Sequence, residues 1–195
     1  MTRQLFHRVL FAGLLLSASA SATTVLKISV EQMTLASDTI AHGVVVSARA
    51  ETINGNARHI RTVVTIDVKR LLKGQPGTKT LRLELPGGRV GDWAMKIPGM
   101  PTFAPGEEVF IFLEKTATNW ALTGLSQGKF SVHTDNQGNK TVKRTLDGIH
   151  MMERNAQGRL VEALSTASTK PTTQTLDGLL AEITHYLRKS AEAAK

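Results

Sequence analysis

The chain reads as mostly β: a small antiparallel Greek-key barrel with a short helix near its start and an amphipathic helix at its end. Three observations carry that reading. Ile60, Thr62, Val64, Ile66 and Val68 alternate with Arg61, Thr65, Asp67 and Lys69, the period of a half-buried strand, and only Val63 breaks it. Just before this run, Asn54-Gly55-Asn56 supplies residues that tolerate positive φ, a strong hairpin signal. Farther on, Val109-Phe110-Ile111-Phe112-Leu113 is an unbroken apolar run that reads as a buried strand. Strand-rich chains of this size manage their sheet edges by closing into a barrel or pairing two sheets. The long first hairpin and a long central loop suit the barrel.

Residues 1–22 have the layout of an export signal. Arg3 and Arg8 make a positive start, Val9 to Leu16 an apolar core, and Ala20-Ser21-Ala22 a small-x-small cleavage site. The apolar run is too short for a membrane-spanning helix, which needs ~20 residues. The expected product is exported, periplasmic or extracellular, begins at Thr23 and makes no stable membrane insertion. Without Arg3 and Arg8 the formal charge falls from +8 to +6. The excess is scattered over Lys69, Arg70 and Lys73, over Lys140, Lys143 and Arg144, and over Arg188 and Lys189. Such scatter is a solvated surface, and with no aromatic-basic motif it argues against a nucleic-acid partner. There is no cysteine. That excludes disulfides, thiol chemistry and Cys-ligated zinc, and leaves the core alone to hold an exported chain.

A single β domain is expected over 23–164. Ser29-Val30-Glu31-Gln32 fits a capping box and starts a short helix to about Ala36, presenting Val30, Met33 and Leu35. Ser37-Asp38 ends it. Ile40, Val44, Val46 and Ala48 form the apolar side of a long strand, with a bend or bulge at Gly43. The return strand stops at Lys73-Gly74-Gln75-Pro76-Gly77. Leu81, Leu83 and Leu85 alternate on the next strand. Trp120–Thr123, Lys129–Thr134, Lys140–Arg144, Ile149–Glu153 and Arg159–Val161 read as shorter strands, with turns at Asp135–Asn139 and Asn155–Gly158. Residues 165–175 are Ser/Thr-rich and read as a linker. Thr175 caps a helix over 176–195, whose Leu176, Leu179, Leu180, Ile183 and Leu187 recur at helical spacing and should dock on the barrel.

Between Pro86 and Pro105 lie about twenty residues without a helical or strand period, and loops of that length are uncommon in a compact domain. Trp93, Met95, Ile97, Met100 and Phe103 argue against disorder. Packed inward, these side chains make a lid; pointed outward, they make a binding surface. The base rate of burial favours the lid. Arg89, Asp92, Trp93, Met95, Met100 and Phe103 are the candidate contact residues.

Catalytic patterns are thin. Gly124-Leu125-Ser126-Gln127-Gly128 matches G-x-S-x-G, but that elbow needs a strand, a sharp turn and then a helix. Here Lys129-Phe130-Ser131-Val132-His133, a strand, follows. Gly124 and Gly128 read better as a tight turn. Glu107 and Glu108 are adjacent carboxylates that a strand sends to opposite faces. His42, His59, His133, His150 and His185 show no metal-binding spacing. His150-Met151-Met152, with Met95 and Met100, hints at soft copper ligation, yet methionine more often fills irregular cores. Pro86-Gly87-Gly88-Arg89 lacks the helix that a phosphate-cradling loop should precede. No cofactor, metal or catalytic residue is therefore assigned.

Two resemblances have residues behind them. Ser37-Asp38-Thr39-Ile40, then Val68-Lys69-Arg70-Leu71-Leu72-Lys73-Gly74, then Gly106–Leu113 resemble the netrin-like module, the group that includes tissue inhibitors of metalloproteinases. This implies an OB-like barrel that acts by binding. Leu85-Pro86-Gly87-Gly88, Gly91, Pro98–Phe103, Gly106–Val109 and Gln127–Phe130 resemble a group of uncharacterised exported bacterial proteins, to which no activity is attached. The inhibitors chelate zinc through an N-terminal cysteine clamped by disulfides; here the first mature residue is Thr23. The expectation is a non-enzymatic binding or accessory module for another exported protein, a protease among the candidates, with 86–105 as its contact surface. The alternatives are an inhibitor acting through Thr23 and a hydrolase using Ser126.

Overall fold

Ser29 opens the first helix in the manner the sequence expects. In the computed structural model, which describes residues 23–146, 149–163 and 174–193, its side chain accepts from the Gln32 amide while Gln32 Oε1 accepts from the Ser29 amide, a complete capping box. Helix α1 (Val30–Ala36) buries Met33 but leaves Leu35 exposed, so the expected apolar face is narrower. The protein is mostly β, with two peripheral helices. The expected export signal lies outside the described residues, as does most of the expected linker.

Strand β1 (Thr23–Leu26) precedes α1. Strands β2 (Thr39–Ile53) and β3 (Asn56–Lys73) make one long antiparallel ribbon. Its tip has positive φ at both Asn54 (52°) and Gly55 (71°), the signature of a type I′ turn, which matches strand twist. Strand β4 (Thr80–Pro86) pairs with β3 and buries Leu81, Leu83 and Leu85. Strand β7 (Glu108–Lys115) returns to lie beside β2. Three hairpin-linked strands and a fourth that comes back next to the first make a Greek key. The loop over 86–105 is its crossover connection, which explains its length.

Beyond β7 the chain forms β8 (Trp120–Leu122), a 3-10 turn (Leu125–Gly128), β9 (Lys129–Thr134) and β10 (Lys140–Lys143). The main sheet runs β13, β10, β9, β7, β2, β3, β4, with β8 also on β7; β13 is Gln174–Thr175, at the end of the expected linker. The barrel is not closed by a ladder. Strand β4 meets β8 by packing, with one bond of 3.4 Å from Asn119 Nδ2 to the Glu84 carbonyl. A separate three-stranded sheet joins β1, in parallel, to β11 (Ile149–Arg154), and β11 to β12 (Leu160–Glu162).

Strand β7 is buried on both faces. Val109, Ile111 and Leu113 fill the barrel with Val45, Val64, Ile66 and Leu83. Phe110 and Phe112 face a second core with Met33, Phe130 and helix α2 (Leu176–Ala193). Thr175 caps that helix through the Gly178 amide, and Leu179 and Ile183 are fully buried, so the helix docks as its spacing predicts.

The inward face of β2 differs from the alternation read in the sequence. The register skips Val46, which is 60% exposed; Ala41 and Val45 face the barrel instead, and Ala48 does so as expected. An extra residue in a β-bulge reverses the parity of everything beyond it. Gly43 sits at another register shift: a Cβ there would lie 2.4 Å from the Asp67 carbonyl oxygen.

Candidate functional site: the crossover and its two clefts

The crossover carries secondary structure that its sequence did not announce. Strands β5 (Gly88–Val90) and β6 (Trp93–Met95) form a small hairpin, with Gly91 and Asp92 at its turn. The hairpin lies against the β2–β3 ribbon. Gly88 permits that approach: its φ is 136°, and a Cβ would come 2.6 Å from Thr62 Oγ1 and 2.8 Å from the Ala50 methyl. The crossover is bonded to the barrel along its length. The Gly87 amide donates to the Ile60 carbonyl at 2.8 Å, the Ser126 amide to the Gly99 carbonyl at 3.1 Å, and the Gly106 amide to the Val45 carbonyl at 2.8 Å.

The candidate residues divide between roles. Met100 and Phe103 pack against the barrel core, as a lid would. Trp93 is 59% exposed, and Arg89 and Asp92 are exposed beside it. Arg89, Met95, Met100 and Phe103 line one groove of about 490 Å³ between the hairpin and the sheet; Asp92 and Trp93 do not.

The segment Met100–Phe103 is also a wall of a second cleft, of about 510 Å³, whose other wall includes Ser126, Lys129 and Ser131. Here lies the most buried charge pair. Lys129 Nζ is 2.6 Å from Glu107 Oε1, with side chains 9% and 20% exposed. Lys129 also donates to the Thr102 carbonyl at 2.5 Å and sits 4.4 Å from the centre of the Phe103 ring. Ser131 Oγ donates to Glu107 Oε1 at 2.6 Å, and the Ala104 amide to Oε2 at 3.1 Å. Burial pushes the Glu107 carboxyl up, but the bonds from Lys129 and Ser131 and the Lys129 charge outweigh it and hold the group below its ordinary range. Burial pulls the Lys129 ammonium down, against the opposing pull of Glu107.

Glu108 points the other way, as strand geometry requires. It meets His42 Nε2 at 2.7 Å and Lys140 Nζ at 2.7 Å. Burial raises its carboxyl, yet Lys140 and His42 bring it below the ordinary value. Among the described residues, no group of three or more His, Asp or Glu side chains could hold a metal ion. Met151 is buried with Ile149 in the small sheet, apart from Met95 and Met100 in the groove.

Ser126 stands in a 3-10 turn that leads into a strand, not in a strand-to-helix elbow. It is 3% exposed. Thr23 lies in the β1 ladder opposite Ile149, and its hydroxyl donates to the Pro98 carbonyl at 3.3 Å. Two residues that the sequence did not single out matter here. Lys129 was visible as the first residue of a strand and as part of a Gln-Gly-Lys-Phe run, with no role attached. Gln127 is fully buried: its Oε1 accepts from the Ile28 amide at 2.9 Å and its Nε2 donates to the Leu26 carbonyl at 2.9 Å.

Comparison with protein-family models, with curated proteins and with solved structures gives no match for this chain. Among the described residues, no helix is long and apolar enough to cross a membrane.

Proposed function

We propose that this protein is an exported, non-enzymatic binding module, and that the crossover 86–105 is the surface with which it meets another exported protein. The observation that supports this is the position of Trp93. A large aromatic side chain stands 59% exposed on a hairpin whose base is pinned to the barrel. Rigid, exposed aromatics flanked by charge are the usual anchors of protein interfaces, because burying them gains much area at little entropic cost. Arg89 and Asp92 supply the flanking charge. The export signal expected over 1–22 places the partner outside the cytoplasm.

The test separates anchor from core. Trp93→Ala should leave stability within about 0.5 kcal/mol and abolish retention of a partner from the exported-protein fraction of the source cells. Phe103→Ala should cost about 1–3 kcal/mol, since Phe103 packs on the barrel. Val46→Ala, at an exposed site elsewhere, is the control. Equal retention by all three variants would refute the reading. Export itself predicts a secreted product whose N-terminal residue is Thr23.

A further inference from the structure

We propose that the cleft between the Met100–Phe103 segment and β9 is a binding site for a small organic carboxylate with an apolar body. The inference goes beyond the contact surface proposed above and stands without it.

The cleft measures about 510 Å³, within the range of small-ligand sites. Its hydrogen-bonding capacity is unevenly used. Both oxygens of Glu107 are already engaged, by Lys129, Ser131 and the Ala104 amide. Lys129 has three protons, and its two bound acceptors, Glu107 and the Thr102 carbonyl, leave one. Ser126 Oγ is fully buried and has no hydrogen-bond partner among the described residues, although Ser126 lines this cleft. A buried hydroxyl left unmatched costs free energy that a ligand oxygen would recover. The remaining Lys129 proton is a donor, and the Ser126 hydroxyl can donate as well as accept, so a ligand acceptor matches both.

Charge then selects a carboxylate over a neutral acceptor. Lys96 and Lys129 line the cleft against the one carboxylate of Glu107. A charged acceptor also makes the stronger bond with an ammonium. Met100 and Phe103 form an apolar wall, which suits a ligand with a hydrocarbon or aryl body. Met100 and Phe103 were among the candidate contact residues of the crossover; Lys96, Glu107, Ser126 and Lys129 were not.

Benzoate, with benzamide as its neutral counterpart, tests this by titration into the isotope-labelled protein. Benzoate should shift the amide resonances of Thr102, Ser126 and Lys129, and benzamide should bind about tenfold more weakly. Ser126→Ala removes a hydroxyl that none of the described residues uses, so the fold should persist while benzoate affinity falls roughly five- to tenfold. The double variant Lys129→Met/Glu107→Gln leaves neither charge stranded and should abolish binding. The proposal is overturned if benzoate shifts none of these resonances, if benzamide binds equally well, or if both variants bind benzoate like the native protein.

Discussion

Glu107 and Glu108 are neighbours in the chain and serve opposite faces of one strand, each held by its own lysine: Glu107 by Lys129 at 2.6 Å and Glu108 by Lys140 at 2.7 Å. Their surroundings differ. The Lys129 side chain is 9% exposed and that of Lys140 40%. Stranding a buried ammonium is costly, whereas an exposed one is simply hydrated. Glu107→Gln should therefore lower unfolding free energy by about 2–3 kcal/mol, and Glu108→Gln by about 1 kcal/mol or less. Urea titration of the two variants measures both; equal losses would contradict the difference in burial.

The same carboxylates set an acid limit on stability. Both have folded-state values below the ordinary 4.5. The unfolded chain then binds more protons than the folded one. The stabilisation is complete above the ordinary value and is lost as pH falls from there through the folded values. Melting temperature should hold level as pH drops to about 5 and decline below it. Replacing both residues by Gln should flatten that decline; a decline unchanged by the replacement would place its origin elsewhere.

Gly43→Ala tests the register shift between β2 and β3 at Gly43. The new methyl would sit 2.4 Å from a backbone oxygen, that of Asp67, and 2.8 Å from Ile66 Cγ2. Backbone moves less readily than a side-chain tip, so the expected loss is at least about 1–3 kcal/mol. Denaturant midpoints give the answer, and a neutral substitution would mean that the strand can shift its register there.

Gln127→Leu tests the clasp on the N-terminal segment. Leucine keeps the volume but leaves the Ile28 amide and the Leu26 carbonyl without the partners that Gln127 supplies. Both bonds are only partly buried, so the cost should be about 1–2 kcal/mol in all. Hydrogen exchange should quicken in β1 ahead of the main sheet. Unchanged protection in β1 would show that its ladder with β11 suffices.

Much of the fold was legible because local chemistry and tertiary demand agreed. Ser29 and Gln32 cap α1 whatever surrounds them, and Asn54-Gly55 selects its turn from backbone preference alone. The Ile60–Val68 alternation survives because the ladder with β4 is unbroken from Arg61 to Asp67 and the extra residue opposite this stretch, Val46, lies on β2. Legibility fails where a neighbour decides. Val46 looks like a core residue until the register skips it, and no sequence period records a bulge. The β5–β6 hairpin is three residues a side and contains Gly88, so it carries no alternation; contact with the β2–β3 ribbon holds it. Within the candidate site, Trp93 and Phe103 were found together but do different work. Lys129 escaped notice because an isolated lysine on a strand gives no sign of burial until Glu107 is placed beside it.

Strand β1 has a consequence for the order of assembly. It runs parallel to β11, and Gln127 grips the residues that follow it. The opening strand thus has no home until synthesis has passed Met152, its farthest ladder partner. The Greek key can condense earlier, since its four strands lie between Thr39 and Lys115. A strand that precedes the Greek key in the chain is thus seated after it.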